Sequence, residues 1–212
     1  MRRALDVTEE RIKRLRNMRW ALWALVALVA AGAAAGVALR TASNDGDPRL
    51  ADQVEIGGPF ALTDQYGEAR TNADFRGRLM LIYFGYASCP DVCPMALNRM
   101  SAALNELNDR ETASVAPIFV TVDPERDTVE TLRDYLSFDP RLIGLTGEPE
   151  AIAQAKQSFR VYSRKSAEET ALGYLVDHSS LFYLMDRKGA FAELIDDEAA
   201  PTDIAAMIRK HL

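Results

Sequence analysis

The sequence predicts an α/β domain with a mixed central sheet, preceded by one N-terminal transmembrane helix. Three observations carry that expectation. Two apolar runs, Leu79 to Tyr86 (LMLIYFGY) and Val115 to Val122 (VAPIFVTV), have the unbroken hydrophobicity of strands buried on both faces. Segments with apolar residues at helical spacing alternate with short strand-like runs, the order that builds a sheet with helices packed on it. Finally, Trp20 to Leu39 is an unbroken apolar stretch of 20 residues without a charge. As a helix it would cross roughly 30 Å of hydrocarbon.

The leader, residues 1–19, holds seven Lys/Arg against Asp6, Glu9 and Glu10, a net of +4. Basic flanks stay cytoplasmic, so the domain beyond the span is expected in the periplasm, tethered to a bacterial inner membrane. A cleaved signal peptide is disfavoured, because its apolar core runs about 7–15 residues. Glu9 and Glu10 argue against a mitochondrial transit peptide, which is poor in acids. Residues 40–57, polar and containing Gly46 and Pro48, read as a tether, leaving 58–212 as the globular domain. Of the chain's formal charge of −6, residues 40–212 carry −10. An acidic domain without clustered Lys/Arg argues against a nucleic-acid partner.

Within the domain, Pro59–Thr63 and Ala69–Thr71 flank Asp64-Gln65-Tyr66-Gly67 as a hairpin. The first apolar strand leads into a helix from Pro94 to Asn108, with Met95, Leu97, Met100, Ala103, Leu104 and Leu107 at helical spacing. After the second strand, Asp127-Thr128-Val129-Glu130 fits a capping box that opens a helix to about Phe138. Leu142–Leu145 reads as a short strand, and Pro149–Phe159 as a helix with proline in its first turn. Ser180–Met185, the turn Asp186–Gly189 and Ala190–Ile195 form a second hairpin, and Pro201–His211 a closing amphipathic helix. Strand, cysteines, helix, then a final hairpin and helix is the order of a thioredoxin-like domain.

The two cysteines, Cys89 and Cys93, form a C-x-x-x-C motif between prolines (Cys89-Pro90-Asp91-Val92-Cys93-Pro94) at the strand–helix junction. A spacing of four puts two helical side chains on one face, about 5–6 Å apart at Cβ. That suits two thiolates reaching one metal ion, and a modest adjustment permits a disulfide. The unpaired N–H groups of the helix start should lower both thiol pKa values. Thiolate is the form needed for metal binding and for disulfide exchange alike.

His178, in Val176-Asp177-His178-Ser179-Ser180, precedes the strand that the fold places beside the cysteine turn. Two thiolates and one imidazole make a three-coordinate set that favours Cu(I) and permits Cu(II), whereas zinc normally asks for a fourth ligand. Asp177 is a candidate acceptor to orient the imidazole, with a turn or capping role as its alternative. His211 reads as a surface residue of the last turn. Thiol oxidoreductases of the thioredoxin type carry a proline just before this strand and a C-x-x-C motif. Here no proline occurs between Pro149 and Pro201, which shifts the balance from redox catalysis toward metal binding. Asp91 reads as a helix-start acid, and Met95 and Met100 as packing residues of the helix.

Tyr83-Phe84-Gly85-Tyr86, the cysteine motif, Val122-Asp123-Pro124-Glu125-Arg126-Asp127-Thr128 and Asp177-His178-Ser179-Ser180 together resemble the Sco/SenC family, over about Pro59 to the C-terminus. The resemblance implies a membrane-tethered copper-binding protein that helps assemble the copper A centre of cytochrome c oxidase, with copper held by Cys89, Cys93 and His178. It implies as partners the copper A subunit of the oxidase, an upstream copper donor and a thiol reductant, since only reduced cysteines bind in an oxidising periplasm. The alternative is a thiol–disulfide reductase that keeps the oxidase cysteines reduced through the same Cys89–Cys93 pair. A peroxidase would need a Pro-x-x-x-Thr-type turn before its attacking cysteine, which is lacking. The Asp123-Pro124 and Asp127-Thr128 pairs read as a strand end and a helix cap, not as ligands.

Overall fold

The computed structural model describes residues 55–170 and 173–212. The leader 1–19, the apolar span 20–39 and all but the last three residues of the tether 40–57 lie outside the described residues. Among the described residues no helix is long and apolar enough to cross a membrane.

A hairpin, β1 (Ala61–Asp64) and β2 (Ala69–Thr71), opens the domain, and a 3-10 turn over Asn72–Phe75 comes after it. Then come β3 (Leu79–Gly85), α1 (Val92–Asn105), α2 (Asp109–Ala113), β4 (Val115–Thr121), α3 (Val129–Tyr135), β5 (Ile143–Thr146) and α4 (Pro149–Ser158). An arm of β6 (Ser163–Thr170) and β7 (Gly173–His178) precedes the closing β8 (Leu181–Met185), β9 (Phe191–Asp196) and α5 (Pro201–His211). The main sheet has the order β2-β1-β5-β4-β3-β8-β9, mixed as the sequence predicts. β3 and β4 run parallel at its centre, in register from Leu79 opposite Val115 to Gly85 opposite Thr121, and every residue of both is buried. β8 flanks β3 antiparallel, with Tyr83 opposite Phe182.

The core gathers on this centre. Phe84, Phe159 and Tyr183 meet at ring separations of 5.4 to 5.9 Å, and α1 packs against α5. With their side chains spent on packing, β3 and β4 are rigid rails that end together. The segments beyond Gly85 and Thr121 are therefore presented at one edge of the sheet.

Three sequence expectations change. The helix from Pro94 to Asn108 starts at Val92 and stops at Asn105. Asn108 caps α2 instead, exchanging hydrogen bonds with Glu111 in a capping box. The cap of α3 is Thr128, whose Oγ1 accepts from the Thr131 N–H at 3.2 Å, and α3 ends at Tyr135. Asp127 cannot cap because its carboxylate is buried and already bound elsewhere. The strands β6 and β7 have no counterpart in the sequence pattern, and His178 is the last residue of β7 rather than part of a loop.

Candidate metal centre

The centre starts where β3 runs out. Gly85 leaves a space that a side chain would fill: a Cβ there would lie 2.9 Å from Cys93 Sγ and 2.9 Å from the Phe119 ring. The chain turns through Ala87 to Asp91. The Ala87 N–H donates to Asp127 Oδ2 at 3.0 Å, and the Cys89 N–H to the Tyr86 carbonyl at 3.2 Å. α1 begins at Val92, so Cys93 sits in its first turn and Pro94 falls where a missing N–H costs little.

Cys89 therefore lies in the turn before the helix, not on a helical face with Cys93. What brings the sulfurs together is the turn, which aims the Cys93 N–H at Cys89 Sγ, 3.5 Å away. His178 Nε2 lies 3.3 Å from Cys93 Sγ. The ligand atoms of Cys89, Cys93 and His178 all fall within 4.8 Å of one another, and no other such group occurs among the described residues.

The imidazole comes prepared. His178 Nδ1 is 3.0 Å from the Ser179 carbonyl, which can only accept, so in the neutral ring the proton sits on Nδ1 and the Nε2 lone pair faces the sulfurs. Asp177, the candidate for orienting the ring or for a turn or capping role, is exposed and pairs with Arg164 at 3.8 Å rather than with the imidazole. Tyr83 and Tyr86 meet the imidazole edge to face at 6.1 and 5.9 Å. Burial raises the pKa of both phenols, keeping them protonated, and the Tyr83 hydroxyl donates to Asp197 Oδ2 at 3.5 Å.

The thiols are unequal, contrary to the expectation that both would be acidified. A hydrogen bond from Cys93 draws the Cys89 thiol well below its ordinary value, against the burial that opposes ionisation, with help from the N–H groups of Cys93 and Asp91. Cys93 moves the other way, because it donates to Cys89 and is fully buried beside that negative charge. The two sulfurs are thus pushed in opposite directions, Cys89 toward the thiolate and Cys93 toward the thiol.

Residues 48–212 match the SCO1/SenC family profile. The chain belongs to the SCO1/SenC family. Protein sco1 of Schizosaccharomyces pombe is 43% identical over 157 residues, 73% of this chain and 60% of its own length, so the match spans about three fifths of that curated relative. ScoI of Bradyrhizobium japonicum, solved with copper bound, is 44% identical with a TM-score of 0.69, covering 74% of this chain and 99% of that one. Yeast Sco1, also solved with copper bound, is 37% identical with a TM-score of 0.68, covering 74% of this chain and 88% of that one. Membership fits the donor set on chemical grounds: a soft, half-buried S₂N group suits a soft monovalent cation.

Around this Sco-type centre, Asp91 takes the N-cap position of α1, but its side chain caps nothing. Met100 is buried as expected, whereas Met95 is 42% exposed and so is not a packing residue. His211, in the last turn of α5, pairs with Glu193 at 3.0 Å. Tyr83, Gly85 and Tyr86 carry no role in the sequence expectations, yet they build the walls of the site. Their signal is present in the chain: two hydroxyl-bearing rings and one glycine in an otherwise wholly apolar strand.

Asp127 is the buried acid of the centre. Its Oδ2 accepts from Thr121 Oγ1 at 2.6 Å as well as from Ala87, while Oδ1 has no hydrogen-bond partner among the described residues. Burial pushes its pKa up to about 6 from the ordinary 3.8. The folded state thus holds this proton more tightly than the unfolded chain, so its contribution to stability falls as pH rises from about 4 to about 6, by up to roughly 3 kcal/mol. Asp127→Asn keeps an acceptor for Ala87 and removes the charge. Between pH 4 and 6.5, the melting temperature of the wild type should decline relative to that of the variant; parallel curves would contradict this.

Proposed function

We propose that this chain is a membrane-tethered periplasmic copper chaperone that binds one copper ion through Cys89, Cys93 and His178. It delivers the ion to the copper A subunit of cytochrome c oxidase. The observation that carries the reading is the convergence of two sulfurs and an imidazole nitrogen within 4.8 Å. The basic leader and the apolar span 20–39 support the anchoring and its orientation. The Cys89 thiolate and the Nε2 lone pair are available at rest, so capture of Cu(I) displaces one proton, from Cys93. Three donors leave room for an incoming thiolate of the partner, and the ion passes by stepwise ligand exchange. Only the dithiol form binds, so a periplasmic reductant and an upstream copper donor belong to the cycle.

The unequal thiols also favour a second reading, a thiol–disulfide reductase. The Cys89 thiolate attacks a partner disulfide, forming a mixed disulfide and releasing one partner thiolate. Cys93 then gives up its proton and attacks the Cys89 sulfur, closing Cys89–Cys93 and releasing the second thiol. The partner gains two electrons and this pair loses two.

The test is copper loading of the reduced full-length chain in detergent. One tightly held Cu(I) per chain, with two sulfurs and one nitrogen by X-ray absorption, is the expected result. Tight binding that survives both Cys89→Ser and His178→Ala would remove the chaperone assignment. Copper-free turnover of a protein disulfide, indifferent to His178→Ala, would establish the reductase in its place.

A further inference from the structure

We propose that the segment Asp123-Pro124-Glu125-Arg126-Asp127 is the joint that holds the two halves of the metal centre in register, with Arg126 and Tyr174 acting as positioning residues for His178. The inference rests on the reading of Cys89, Cys93 and His178 as one centre and assigns the segment a role beyond ending a strand.

At its C-terminal end the segment grips the cysteine half. Asp127 Oδ2 accepts from Ala87, which lies between Tyr86 and Cys89 in the turn, and the Asp127 carbonyl accepts from Thr146 Oγ1 at 2.7 Å, tying it to β5. At its N-terminal end it grips the histidine half. The Tyr174 hydroxyl donates to Asp123 Oδ1 at 2.8 Å, and Asp123 Oδ2 accepts from Arg126 Nε. The Arg126 guanidinium lies over the Tyr174 ring, 3.8 Å from its centroid, and 5.6 Å from the ring of Tyr86. Tyr86 is in turn one of the rings set against His178. Lys165 from β6 also sits over Tyr174, at 4.6 Å, while pairing with Glu125 at 2.6 Å.

The arm needs such a joint. β6 and β7 form a two-stranded sheet that shares no ladder with the main one. A lone hairpin is marginal in water, so tertiary contacts must fix where it lies. Tyr174, Val176 and His178 share one side of β7 by the two-residue period, so a contact made at Tyr174 is carried along a single strand face to the imidazole. Val176 on that side is buried. The base of the arm is tied separately: the Ser179 N–H donates to the Tyr162 carbonyl at 3.0 Å, and the Tyr162 N–H to Ser179 Oγ at 3.0 Å. Those bonds hold the pivot, and the joint sets the angle. The Lys165–Glu125 pair is exposed at both ends and contributes little, whereas Asp123 is buried beneath Arg126 and Tyr174.

The experiment pairs amide exchange of the copper-free chain with a binding cycle. Tyr174→Ala in the full-length chain in detergent should cut exchange protection of the β6–β7 amides about tenfold, with β8–β9 changed less than about twofold. Its affinity for Cu(I) should fall about tenfold, and the loss should vanish when the same substitution is made in a His178→Ala background. Tyr174→Phe and Arg126→Lys, which preserve volume or charge, should give smaller losses confined to the same strands. Equal loss of protection in both hairpins, an unchanged arm, or an affinity loss that persists without His178 would overturn the joint. A wild-type chain that takes up no copper would instead remove the chaperone reading, and the exchange comparison would still decide on the joint.

Discussion

Cys93→Ser is expected to lower the affinity of the reduced chain for Cu(I) by at least about a thousandfold. Groups that merely orient a ligand already cost roughly 10–100-fold in metal affinity, so loss of a ligand must exceed that range. The change replaces a soft sulfur with a hard hydroxyl in a fully buried position. His178→Ala should cost less, since two sulfurs suffice for linear Cu(I). Competition against a chelator of known Cu(I) affinity measures both, and a His178→Ala loss equal to that of Cys93→Ser would contradict this ranking.

The second large effect is kinetic. In the reduced, metal-free chain at pH 7, a small alkylating reagent should modify Cys89 at least about a hundredfold faster than Cys93. The thiolate is the reacting form, and Cys89 is held in it while Cys93 is held out of it. Exposure points the same way, at 8% against 0%. Peptide mapping by mass spectrometry after a short pulse reads the ratio directly. Labelling of both cysteines at similar rates would mean that the two sulfurs share the proton evenly.

How much of the fold is legible in the sequence depends on the kind of force at work in each element. β3 and β4 are readable because burial on both faces demands apolar residues without interruption. α5 comes out with its ends in place because proline can only start such a helix and the apolar face is periodic. The arm is not readable. Ser163–Thr170 (SRKSAEET) has no alternation, since what holds β6 is its partner strand and ion pairs, not a hydrophobic face. The misplaced cap has a similar origin: Asp127 and Thr128 both satisfy the local pattern, and only the tertiary demand of Ala87 and Thr121 for an acceptor decides between them. In the candidate site, the spacing of the cysteines and the position of one histidine before a strand are enough to bring the three donors together. The inequality of the sulfurs is out of reach, because it depends on which of them sits in the turn and which in the helix.

The two-stranded arm has a bearing on unloading. Both sulfurs are welded to the scaffold through β3 and α1, whereas the nitrogen rides on a lever with its pivot at Tyr162 and Ser179. Swinging that lever breaks side-chain ties but no rung of the central sheet. If the chain passes copper to a docking protein as proposed, prying the lever away would leave the ion on the two sulfurs alone, so the nitrogen would be lost first and the sulfurs last.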